Sequence, residues 1–214
     1  MTSGHRPRAR RVPPGPACLR IGMGIGGVLL LLLPRTASSQ GAPVPSVGSS
    51  AIARAVQEIE GLDAMRATLA RTFAAGGVAA TDSTFAQVCK PGKGKAMALA
   101  KETGWSIAQL AERNRNPDNQ LDAEARGAFR QFQRDPGLTS VVRHTTYNGV
   151  AGTRYLRRIT VDEACLACHG AKERRPAFVQ KQYPADRAYG FVAGDLRGVY
   201  SVFIPDTAMA GGRR

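Results

Sequence analysis

The first regular pattern along the chain is an apolar stripe with helical spacing that starts just after residue 50. Apolar side chains recur at steps of three and four, with charged and amide side chains largely between them. This spacing predicts a long amphipathic helix, which the pair Gly76-Gly77 ends. The residues of the stripe are Ile52, Val56, Ile59, Leu62, Met65, Leu69 and Phe73.

Two shorter helical segments are predicted next. Asp82 or Ser83 supplies an N-cap for a short helix that ends before Pro91-Gly92. Further helical turns continue through Lys101 and stop near Gly104. The short helix carries one face made of Phe85, Val88 and Cys89.

Beyond Gly104 the pattern changes to short segments rich in β-branched and aromatic residues, which are typical of strands. A turn at 114–122 leads into a helix between the first two segments, and 148–152 predicts a hairpin connection between the second and third. Helices that precede a mostly antiparallel sheet predict an α+β fold for one domain spanning 50–206. The four predicted strands begin at Trp105, Val141, Arg154 and Gly198.

The N-terminal region has the pattern of an export signal. Arginines without acidic residues precede the apolar run 21–33, which is shorter than the roughly 20 residues that a membrane-spanning helix needs. Small residues at 37–39 suit signal peptidase. We therefore predict a cleaved signal peptide over 1–39, a flexible leader over 40–49, a tail over 207–214 and a bacterial periplasmic location. A retained N-terminal anchor is the alternative.

Net charge indicates which partners are compatible with the exported chain. Removing the six arginines of the signal peptide lowers the formal charge from +14 to +8. The remaining basic residues lie in short clusters, and aromatic residues are not interleaved among them to stack on bases. The sequence thus argues against a nucleic-acid partner, and it is compatible with an acidic protein partner or with an ordinary solvated surface.

Export leaves three cysteines, and two of them belong to a motif. In the segment EACLACHGAK, Cys165 and Cys168 are separated by two residues and followed at once by His169. C-x-x-C-H is the attachment signature of c-type haem, in which two thiols bind the porphyrin edge and the imidazole binds the iron. We predict one covalently attached haem c. A redox dithiol and a structural zinc site are the alternatives, although the dithiol needs no adjacent histidine and zinc needs a second ligand pair.

Haem iron has a second axial position, for which the residues alone leave several candidates open. Cys89 is the odd thiol in a compartment that oxidises thiols, so it calls for an explanation such as ligation or burial. The other candidates are His144, Met65, Met97 and Met209.

Beyond the motif, the chain resembles the PAS-like periplasmic c-type haem domain of cyanobacterial and proteobacterial proteins. The resemblance covers about 51–205, and its matching segments are VCK at 88–90, GWSI at 104–107, RNPDN at 115–119, CLACHG at 165–170 and the run from 175 to 205. It implies a haem that packs against a PAS-like antiparallel sheet, with His169 and Cys89 as axial ligands. Pro91-Gly92 depart from the continuous helix that is expected after this cysteine.

A haem iron with both axial positions bound by the protein favours electron transfer or redox response over substrate turnover. A thiolate ligand favours ferric iron, so the reduction potential should be low. Arg175, with Arg174 and Lys181, is a candidate to contact the haem propionates. The chain shows no transmitter segment after the domain, so a haem-based gas or redox sensor, which is the alternative function, would act through a separate partner. A peroxidase-type enzyme is a weaker option because no acid/base pair can be nominated.

Overall fold

Residues 47–210 are described by a computed structural model of the chain, with side chains over 50–208. The predicted signal peptide lies outside the described residues, as do most of the predicted leader and the last four residues of the predicted tail. The helices and strands, in chain order, are α1 Val47–Ala75, α2 Asp82–Val88, α3 Lys90–Thr103, β1 Ser106–Leu110, α4 Ala123–Arg134, β2 Ser140–Tyr147, β3 Val150–Thr160, α5 Leu166–His169, α6 Ala177–Gln182, β4 Leu196–Pro205 and α7 Asp206–Ala210.

The four strands form one sheet in the order β1-β4-β3-β2, and every neighbouring pair is antiparallel. The predicted α+β class with an antiparallel sheet is confirmed. β4 is last in sequence, yet it lies between β1 and β3. Seven consecutive residues of β4, from Gly198 to Ile204, are buried because both of its neighbours and both sheet faces cover it.

The sheet carries a hydrophobic cluster on each face, as the two-residue alternation of strand side chains requires. On one face, α1 packs through Ile59 and Leu62 against the sheet, where Tyr155 and Val202 are buried. On the other face, the apolar side of α4 packs against strand residues whose side chains point away from α1, including Leu156. The sheet is therefore a middle layer between α1 and α4.

Three predicted boundaries are corrected by the structure. α1 begins at Val47, so the last three residues of the predicted leader are helical. The short helix ends before Pro91-Gly92 as predicted, but these two residues do not break the helix that follows Cys89. They lie in the first turn of α3, where a backbone N–H has no partner within the helix and proline is tolerated. The β2–β3 connection is a tight turn of only Asn148 and Gly149, both with positive φ, and Val150 already pairs with Tyr147.

Among the described helices, none combines the length and the apolar character that a membrane crossing requires.

Candidate functional site

A cavity of about 510 Å³ lies on the α1 face of the sheet. Helices α1, α2 and α3, the strands β1 and β4, and the segment around α5 all contribute to its wall. The wall is mainly apolar, as is typical of cofactor sites. Its larger apolar residues are Leu62, Phe73, Phe85, Val88, Met97, Ile107, Leu110 and Ile159.

The C-x-x-C-H segment is folded into a compact turn on this wall. Asp162 begins the turn, since its carboxylate accepts a hydrogen bond from the amide of Ala164 at 3.0 Å and so caps the short 3-10 helix Glu163–Cys165. The same carboxylate binds Arg71 of α1 at 2.6 Å. The turn is thereby attached to α1, and both motif thiols line the cavity together with His169.

His169 is held in one orientation by the backbone of the segment that precedes β4. Its Nδ1–H donates to the carbonyl of Ala188 at 2.7 Å, and its ring meets Phe191 edge to face. Burial lowers the pKa of His169 well below its ordinary value, and the nearby cations Arg197 and Arg115 add to this. The imidazole is therefore neutral, and with Nδ1 acting as a donor, Nε2 keeps the free lone pair that can bind a metal.

Cys89 reaches the same cavity from another part of the chain. It is the junction residue between α2 and α3, where its amide donates to the carbonyl of Phe85 at 2.9 Å. Burial, together with Cys168, raises the pKa of its thiol to about 11 against the opposing effect of Arg66 and Arg115. By accessible surface, however, Cys89 is exposed. The raised pKa and the exposure are compatible, because the thiol is surrounded by protein atoms but faces the cavity.

Three arginines also line the cavity: Arg66, Arg115 and Arg197. Arg115 supports the motif directly, donating from Nη2 to the carbonyl of Cys168 at 2.8 Å and pairing with Asp186 at 3.3 Å. Asp186 is fully enclosed, so this ion pair joins the motif to the loop that also holds His169.

Of the other predicted candidates whose side chains the structure describes, Met97 lines the cavity, whereas Arg175, His144 and Met65 do not. Arg175 pairs with Asp186 at 3.1 Å and stacks on Tyr189, and it does not line the cavity. His144 pairs with Asp206 on the surface. Of the methionines, Met65 packs with the α1 cluster and Met97 lies at the cavity, 63% exposed; the side chain of Met209 lies outside the described part.

Sequence reasoning missed the three cavity arginines and the carbonyl of Ala188. One signal was available for Arg66, which lies four residues from Leu62 and from Ala70 and so shares their face of α1. Arg115 and Arg197 lie in segments that carry the family resemblance, but no local pattern shows that they meet, because about half the domain separates them in sequence.

Within the residues that the structure describes, no group of three or more His, Cys, Asp and Glu side chains is arranged to hold a metal ion. What the cavity does bring together is one imidazole, three thiols and three guanidinium groups.

Fold and site together define an α+β protein whose helix-covered sheet encloses a cavity bearing a C-x-x-C-H turn and a further thiol. A family profile described as Tll0287-like: Tll0287 matches residues 46–205, and the chain belongs to this family. The family resemblance drawn from the sequence is thus confirmed. Among solved structures, the chain is similar to the crystal structure of the cyanobacterial heme-protein Tll0287, with 43% sequence identity and a TM-score of 0.65. The match covers 73% of this chain and 95% of that chain. No curated protein matches the chain.

Proposed function

We propose that the protein is an exported, periplasmic c-type haem protein with a His/Cys-ligated iron of low potential, acting in electron transfer or redox response. The observation that carries this proposal is the convergence of Cys165, Cys168 and His169 on one cavity wall. The cavity volume lies within the about 300–1,000 Å³ typical of cofactor sites. The heme-protein Tll0287, at 43% identity, adds independent support.

The chain's own residues would hold the group in three ways. Cys165 and Cys168 would attach it through thioether bonds, and the turn capped by Asp162 keeps both thiols on the wall. His169 would bind the iron through Nε2, because its Nδ1 is held by the carbonyl of Ala188. The apolar wall would exclude water and so raise the strength of the electrostatic interactions inside.

We assign the second axial position to Cys89. Its thiol lines the same cavity and interacts electrostatically with both motif thiols, although it comes from the α2–α3 junction. Arg66 and Arg115 favour its thiolate form. The haem would supply one-electron chemistry, and a thiolate ligand lowers its potential.

A gas or redox sensor is the second candidate, and one feature of Cys89 favours it. Burial raises the pKa of this thiol to about 11, so the neutral thiol, which binds iron poorly, is accessible if the thiolate detaches. In that case the ligand position of Cys89 would open to a diatomic gas. We favour the carrier because both axial positions have a protein ligand available.

The proposal also includes a periplasmic location, a PAS-like fold and an acidic partner protein. The signal-like N-terminus supports export to a periplasm, and the helix-covered antiparallel sheet is compatible with a PAS-like fold. The basic character of the mature chain, with Lys172 and Arg174 exposed beside the motif, supports an acidic redox partner protein.

Haem staining after denaturing electrophoresis tests the attachment. The protein is produced with the c-type maturation machinery, alongside a Cys165→Ala/Cys168→Ala variant as control. We expect a stained wild-type band that keeps its colour after acid-acetone extraction and no stained band for the variant. A wild-type band without stain, or with bound zinc instead, contradicts the proposal.

A further inference from the structure

The cavity holds more positive charge than the described protein balances. Arg197 lines the wall beside His169, with its guanidinium 5.2 Å from the ring centre of Phe191. Its Nη1 donates to the carbonyl of Arg113 at 2.9 Å. No carboxylate of the described residues lies within 4.0 Å of it. Burial, together with Arg115 and Arg66, lowers the pKa of Arg197 to about 10 against the opposing effect of Asp186.

Arg66 presents a second incomplete set of hydrogen bonds. Its Nη2 donates to Asp63 at 2.6 Å, but Nε is buried and has no partner among the described residues. Asp63 is itself shared with Arg157 at 2.7 Å and accepts a hydrogen bond from Tyr200. Nε has no accessible surface, so it does not open to the cavity; Nη1, which has no hydrogen-bond partner among the described residues, is the donor of Arg66 that stays free for a further acceptor.

Arg115 differs from these two, because Asp186 and the carbonyl of Cys168 already occupy its donors. Arg175 is likewise paired with Asp186 and lies off the wall. Among the cavity arginines, Arg197 thus lacks a carboxylate partner, and Arg66 is paired with Asp63 but keeps an unused donor.

We propose that Arg197 and Arg66 bind the carboxylates of the group held in the cavity, in place of Arg175. This assignment rests on the proposed function, since haem carries two propionate carboxylates that would need cationic partners in an apolar cavity. Arginine suits this role because its planar, permanently charged fork matches a carboxylate, and charge-assisted hydrogen bonds are about twice as strong as neutral ones. The two residues would also fix the orientation of the porphyrin relative to His169.

Resonance Raman spectroscopy of the purified holoprotein tests the assignment through the propionate bending bands. The variants are Arg197→Gln, Arg66→Gln and Arg197→Lys. Arg130→Gln, an exposed change on α4 across the sheet, is the control, and Lys93→Gln tests the exposed lysine that also lines the cavity. We expect a downward shift of these bands in both glutamine variants of the cavity arginines, a smaller shift with lysine, and wild-type bands in the other two.

The outcomes separate this assignment from the proposed function. Wild-type bands in Arg197→Gln and Arg66→Gln, with haem still attached, would overturn the assignment alone, as would shifts confined to Lys93→Gln. Absence of haem from the wild-type protein would refute the proposed function and the assignment with it. If the glutamine variants fail to mature, a crystal structure of the wild-type holoprotein decides: carboxylate oxygens farther than 4 Å from both guanidinium groups refute the assignment.

Discussion

At the scale of single residues, the ring of His169 is prepared for metal binding by its surroundings. The carbonyl of Ala188 accepts the Nδ1 proton, and Ala188 is completely buried, so this acceptor has no competing water. Burial and two nearby arginines keep the imidazole neutral. Both effects leave Nε2 as a free base, which is the form that iron requires.

Cys89 gives the clearest prediction at this scale. Cys89→Ser should leave the covalent haem in place, because attachment depends on Cys165 and Cys168. It should also remove the thiolate signature from the ferric absorption and electron paramagnetic resonance spectra, since serine does not supply a thiolate sulfur. His144→Ala is the control, as His144 pairs with Asp206 on the surface. Spectra that change with His144→Ala and stay the same with Cys89→Ser would show that the axial assignment is wrong.

At the scale of elements, α4 is attached to the sheet by ion pairs between a buried arginine and two partly exposed carboxylates. Arg154 of β3 has a side chain only 1% exposed and binds Asp122 at 2.5 Å and Glu124 at 3.2 Å. Asp122 is also the N-cap of α4, since it accepts from the amide of Ala125 at 2.9 Å. One carboxylate therefore both begins the helix and compensates a buried charge.

Replacing Asp122 should be destabilising. Asp122→Ala leaves Arg154 with Glu124 and Ser201. Because Asp122 is 37% exposed, solvent screening keeps the cost below the about 3–5 kcal/mol of a fully buried pair, and the lost cap adds about 1 kcal/mol. We expect a loss of roughly 2 kcal/mol in the free energy of unfolding, measured by urea denaturation. Asp118→Ala, at an exposed position without an ion pair, should change stability by less than about 0.5 kcal/mol. Equal effects would contradict the role of the pair.

The same carboxylate gives a pH dependence. Burial alone would raise the pKa of Asp122, but hydrogen bonds from Arg154 and from the amide of Ala125 outweigh it and hold the pKa below its ordinary value. Because the pKa of Asp122 is lower in the folded than in the unfolded state, the carboxylate stabilises the fold fully when the pH lies above the unfolded-state pKa of about 3.9. This stabilisation is lost as the pH falls through the folded-state pKa. The stability difference between wild type and Asp122→Asn should thus be large at pH 7 and shrink below about pH 4. A difference independent of pH would refute this.

Two glycines should respond to the same substitution in opposite directions. A Cβ at Gly198 would overlap the carbonyl of Leu110 on the adjacent strand, so Gly198→Ala should destabilise the sheet by about 1–3 kcal/mol. Gly127 lies inside α4 with open space at its Cβ position, and Gly127→Ala should stabilise the protein by about 0.5–1 kcal/mol. Thermal unfolding measures both, and a stabilising Gly198→Ala would show that β1 and β4 are not packed this closely.

At the scale of the whole molecule, the cavity exists only because distant parts of the chain converge. α1 supplies Arg66, the α2–α3 junction supplies Cys89, and the motif and β4 supply His169 and Arg197. Each candidate axial ligand therefore comes from a different region. A carrier must keep both ligands on reduction, whereas a sensor releases one of them.

Carbon monoxide uptake separates these two functions. For the carrier, we expect the reduced protein to remain six-coordinate near neutral pH and to bind carbon monoxide poorly, because His169 and Cys89 would both stay in place. Stopped-flow mixing of the dithionite-reduced protein with carbon monoxide measures this. Fast and complete binding at low ligand concentration would overturn the carrier and favour the sensor, with Cys89 as the ligand that leaves.

The sequence by itself determined the features whose cause is local. The helical stripe of α1, the four strand segments and the C-x-x-C-H turn all depend on spacing and capping within a few residues, and the structure has helices and strands where these patterns predict them. The hairpin was predicted too long, because the composition of 148–152 marks a turn but the pairing of Val150 with Tyr147 closes it after two residues.

Only the tertiary structure decided which charges meet in the cavity. Arg175 lies closer to the motif in sequence than Arg197 or Arg66 does, yet Asp186 binds it off the wall. Arg197 reaches the wall because β4 inserts between β1 and β3, and Arg66 reaches it because α1 crosses the same face of the sheet. Strand order and helix packing arise from contacts between residues far apart in sequence, so no local pattern reports which arginines they bring together.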